Sequence, residues 1–78
     1  MDKSRALKYF TITAEQGHAE AQHNSGLMYY HGDAVERDVG EATRLWKLAA
    51  AQGLEVARQN LATAAAAAKD SDIARYLH

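Results

Sequence analysis

The sequence predicts an all-α fold, an α/α solenoid of antiparallel helix pairs, and three observations carry that prediction. Proline is absent while strong helix formers fill most of the 78 residues, which favours helices throughout. Apolar residues recur at helical spacing between sparse glycine breaks. The chain also repeats itself at a fixed interval.

Each element follows from local chemistry. Asp2 caps a first helix carrying Ala6, Tyr9, Phe10 and Ala14, which ends at Gly17. A second helix, from Ala19 to His31, carries Ala21, Ser25, Met28 and Tyr29 on one face, and a loop over Gly32 to Arg37 follows. Asp38 caps the third helix, with Glu41 three residues on as in a capping box. That helix places Ala42, Leu45, Trp46, Ala49 and Ala50 on one stripe and stops at Gly53. A fourth helix runs from Leu54 through the alanine run to Ala68. Asp70 to Asp72 offers a stop and a new cap, with a short last helix over Ile73 to Leu77. The pattern Asp70-x-x-x-Ala74-x-x-Leu77 echoes Asp38-x-x-x-Ala42-x-x-Leu45, as the stub of another unit or a terminal cap would.

Sliding the chain by 36 residues brings Asp2 onto Asp38, Ala6 onto Ala42 and Ala14 onto Ala50. Gln16 falls on Gln52, Gly17 on Gly53, Ala21 on Ala57 and Asn24 on Asn60. Similar residues fill the gaps: Lys8 with Arg44, Phe10 with Trp46, Ile12 with Leu48. The matches fall on caps, turn glycines and small residues that let helices approach closely. A period of this length built from two helices is the signature of an α-solenoid.

Composition bounds the rest. Seventeen residues are alanine and none is cysteine, so stability must come from close helix approach and no disulfide assists it. A chain this short buries only about 60% of its unfolded surface. Nine basic and ten acidic residues balance to a net charge of −1, which argues against nucleic acid or an acidic membrane surface as partner. No apolar run reaches the length of a membrane span, and no signal-peptide core is present at the N-terminus. The default expectation is a soluble, cytoplasmic protein.

The stretch Ala14-Glu15-Gln16-Gly17-His18-Ala19-Glu20-Ala21-Gln22, followed by Ser25-Gly26-Leu27-Met28-Tyr29-Tyr30-His31-Gly32, resembles the Sel-one-like repeat family, cousins of the tetratricopeptide repeat. The helix from Glu41-Ala42 through Trp46 to Ala49-Ala50-Ala51-Gln52-Gly53 is similar to that family's second helix. The resemblance covers residues 2 to 62. It implies that residues 2–17 form the second helix of a partial unit, 19–53 a complete unit, 54–68 the first helix of a degenerate unit, and 70–78 a short terminal helix or cap. Ser25 stands where the family has leucine, and Glu36 where a proline often follows Val35. In the second copy Gly26 becomes Ala62 and Tyr29 becomes Ala65. Standing alone the segment is marginal, since each unit buries its face only against neighbours. A longer array or self-association would complete it.

Function follows from the same resemblance: a non-catalytic scaffold or adaptor that binds other proteins or peptides, or a purely structural terminal unit of a larger array. His23, Leu27, Tyr30 and His31 are the candidate partner-binding residues. Tyr30 points away from Ala21, Ser25 and Met28, and both packing against the next unit and lining a partner groove remain open for it. Trp46 lies on the alanine stripe, which favours core packing over a binding anchor. A metal reading rests on Glu20-x-x-His23, the spacing of helical carboxylate sites. Its repeat counterparts are Val56 and Gln59, so no second copy of the motif faces it; His18, His31 and His78 fit solvated surface positions. No nucleophile–base set and no phosphate loop with its Lys-Ser/Thr is present, so neither catalytic residues nor a cofactor are expected.

Overall fold

The caps and turns written into the sequence set the helix register. A computed structural model describes the backbone of residues 2–76 and the side chains of residues 2–69. It contains α1 (Lys3–Glu15), α2 (Ala19–His31), α3 (Val39–Ala51) and α4 (Glu55–Tyr76), with no strand among the described residues. The starts of α1 and α3, and of α2 and α4, are each 36 residues apart, so the repeat in the sequence is a repeat in space.

The matched positions do matched work. The Asp2 carboxylate accepts from the Ser4 backbone N–H at 3.0 Å, and the Asp38 carboxylate from that of Glu41 at 3.0 Å. Glu41 does not complete the capping box on Asp38; its carboxylate holds Arg44 one turn on, and that bond raises the Arg44 pKa. At the other end, Gly17 N–H bonds Ala14 O and His18 N–H bonds Thr13 O, while Gly53 bonds Ala50 and Leu54 bonds Ala49 in the same pattern. This is the Schellman closure. It needs a residue at positive φ, and Gly17 and Gly53 sit at +89° and +93°.

Packing proceeds between sequential helices: α1 on α2, α2 on α3, α3 on α4. A globule of this length would have a radius of gyration of about 11.5 Å; the chain has 13.5 Å and is 43 Å long by 16 Å thin, as a single-layer stack must be. The core is small residues around one large one. Ala42, Ala49 and Ala57 are fully buried and Trp46 is 2% exposed, with Ala64 completing the cluster. A second cluster gathers Ala14, Ala21 and Leu45, with Phe10 and Tyr29 against it.

Two contacts explain how α2 is seated. Trp46 lies so close to the α2 backbone that a Cβ on Gly26 would stand 2.4 Å from its Nε1 and 2.6 Å from its Cδ1. Only glycine permits that approach. The indole N–H then donates to the His23 carbonyl at 3.1 Å. Gln22, 4% exposed, donates to the Ala14 carbonyl at 3.2 Å and accepts from Gln52 at 3.0 Å, tying α1, α2 and α3 together. Ser25 is 1% exposed and its hydroxyl has no hydrogen-bond partner among the described residues, a condition that costs free energy for a buried polar group.

One expectation is corrected. The anticipated stop at Asp70–Asp72 does not occur: α4 is a single helix of 22 residues, running through Ile73 to Tyr76. Neither glycine nor proline interrupts this stretch, and aspartate in a helix interior costs only about 0.7 kcal/mol relative to alanine. Leu77 and His78 lie outside the described residues.

Candidate protein-binding groove

The junction of α2 with α4, the first helices of successive units, leaves a trough over the core tryptophan. From α2 come Leu27, Tyr30 and His31; from α4 come Asn60, Thr63 and Ala64; Trp46 forms the floor. This hollow holds about 140 Å³. A second hollow of about 180 Å³ lies on the other side of Tyr30, between Arg37, Val39, Ala67 and Ala68.

Tyr30 is fixed in place. Its ring lies 5.4 Å from that of Trp46 and 5.3 Å from the His31 imidazole, edge-on. The Arg37 guanidinium stands 5.3 Å over the ring centroid, within cation–π range, and Arg37 Nε donates to the Tyr30 carbonyl at 2.9 Å. Tyr30 packs on the core and also walls a hollow. The side-chain nitrogen of Asn60 is buried without a hydrogen-bond partner among the described residues, an uncommon condition for a polar group.

Three of the four candidate residues meet here. Leu27, Tyr30 and His31 line the groove, whereas His23 does not; its carbonyl is committed to Trp46 and its side chain is half-buried elsewhere on α2. Glu20 falls in a different hollow, beside His18 between α1 and α2. Among the described residues no group of three or more His, Cys, Asp or Glu side chains is placed to hold a metal ion. Asn60 and Thr63 also line the trough, and Arg37 lines the hollow on the other side of Tyr30; none of the three is among the residues the sequence singles out for binding. The match of Asn24 with Asn60 in the repeat is the signal in the sequence for Asn60. No helix among the described residues is long and apolar enough to cross a membrane.

The family model for the Sel1 repeat matches residues 2–18 and 19–54, with boundaries falling at the two Schellman turns. DAP3-binding cell death enhancer 1 of Rattus norvegicus is 35% identical over 63 residues, covering 81% of this chain and 12% of that protein. The Mus musculus protein of the same name is 36% identical over the same share of each. The chain thus spans about an eighth of the length of these relatives. The helix pairs, the repeated caps and turns, and the matched residues together show that this chain belongs to the Sel1 repeat family.

Proposed function

We propose that the chain is a non-catalytic protein-binding module whose trough between α2 and α4 takes an apolar side chain of a partner peptide. The observation that carries this reading is the hollow over Trp46, walled by Leu27 and a Tyr30 held rigid by Arg37. Rigid aromatic walls suit recognition because little side-chain entropy is lost on binding. A peptide carbonyl entering beside Asn60 would satisfy its orphan nitrogen. The relatives' name describes binding to DAP3, which makes purified DAP3 the first protein probe for this chain.

The test is binding of DAP3, and selection from a random-peptide display library, against the purified chain and two variants. Thr63→Arg fills the groove from an exposed position, and Tyr30→Ala removes a wall. Binding weakened at least tenfold by Thr63→Arg with helix content intact supports the groove. If nothing binds, or binding ignores both substitutions, the reading is wrong.

A further inference from the structure

We infer that two copies of this chain dock head to tail, α4 of one copy lying in the open groove between α1 and α2 of the next. This goes beyond the peptide-binding reading and stands independently of it.

The groove at the α1 end holds about 490 Å³ and includes Tyr9, Phe10, Thr13, Ala21 and Asn24. Shifted by the repeat, these positions become Leu45, Trp46, Ala49, Ala57 and Asn60, and that later seat is covered by α2 within the same chain. The earlier seat is bare: Tyr9 is 58% exposed where its counterpart Leu45 is 6%. The helix equivalent to α2 is α4. Ser25 and Gly26, which α2 buries, correspond to Leu61 and Ala62 on α4, and Ala62 and Ala65 are exposed.

The far end shows the other half of the same seam. A groove of about 400 Å³ between α3 and α4 is lined by residues that include Val39, Thr43, Leu61 and Ala65. In the repeat these correspond to Lys3, Leu7, Ser25 and Tyr29, on the α1–α2 pair against which α3 packs. One placement of a second copy therefore fills both grooves, its α1 taking the place that α3 holds inside the chain.

The residues at the two seams differ by matched exchanges of size. Inside the chain Trp46 requires Gly26, because a Cβ would strike Nε1 and Cδ1. Between copies Phe10 would meet Ala62, a six-membered ring smaller than the indole and without its Nε1 against a residue with one methyl more. Tyr29 packs on the cluster containing Leu45; between copies its place is taken by Ala65 and that of Leu45 by Tyr9, so the aromatic ring changes sides.

Such a contact joins different surfaces on the two copies and so does not close on itself as a symmetric dimer does. Sedimentation velocity on the whole chain over a concentration series tests it. Species beyond a dimer should accumulate as concentration rises. Tyr9→Asp blocks the head and Ala65→Glu the tail, with Ala62→Arg as a second tail block; all three positions are exposed, so helix content should persist. Each variant alone should be monomeric, while Tyr9→Asp mixed with Ala65→Glu should give a dimer that grows no further. A wild-type chain that stays monomeric, a single variant that still associates, or a mixture without a dimer overturns the inference.

Discussion

Trp46 and Phe10 occupy the same place in the repeat and live in different surroundings. Trp46 is sealed between α2 and α4, its ring against Gly26 and its N–H on the His23 carbonyl. Phe10 is partly buried beside an open groove, with α2 on one side and no helix on the other among the described residues. The same position in a solenoid is core or surface according to whether a neighbouring helix is there to cover it. Local sequence sets the helix; the next unit sets the burial.

The largest expected consequence is at these two rings. Truncating a buried tryptophan costs about 3–5 kcal/mol, and a single small core supplies only about that much in total. Trp46→Ala should lose its helical circular dichroism at 25 °C in dilute solution. Phe10→Ala, already partly in water, should cost about 1–2 kcal/mol and remain folded. Equal losses at the two positions would break the distinction drawn between them.

The turns should behave oppositely, because Gly17 and Gly53 are alike in both units. A Cβ would meet nothing within 4 Å at either glycine, so alanine pays only for its left-handed backbone, about 1–2 kcal/mol. Gly17→Ala and Gly53→Ala should shift the denaturation midpoint by similar amounts. A shift at one alone would show that the turns are not equivalent.

What could be read from the sequence divides along the same line. The bounds of α2 from Ala19 to His31, the caps at Asp2 and Asp38 and the stops at Gly17 and Gly53 all depend on a few neighbouring residues, and all were legible. The continuous α4 was not, because Asp70–Asp72 suits a cap and a helix interior about equally, and only the surrounding alanines tip it. In the sequence Gly26 is a glycine inside a helical pattern with no local reason; the reason is the tryptophan on the next helix. Gln22 gave no signal at all, since its two partners lie on α1 and just beyond α3. Helical spacing groups His23 with Leu27 and Tyr30 on α2, yet only the latter two reach the trough, while the His23 carbonyl is taken by Trp46.

The contact between Gly26 and Trp46 distinguishes the closed seam from the open one, and a double-mutant cycle measures it most directly. With Trp46 in place, Gly26→Ala should cost about 1–3 kcal/mol by overpacking. In a Trp46→Phe background, which copies the Phe10 and Ala62 pairing, the same change should cost nothing or stabilise by up to about 1 kcal/mol through helix propensity. The two substitutions should thus couple by about 2 kcal/mol in urea denaturation of the dilute chain. If Gly26→Ala costs the same in both backgrounds, the tryptophan does not dictate the glycine and the account of the seam is wrong.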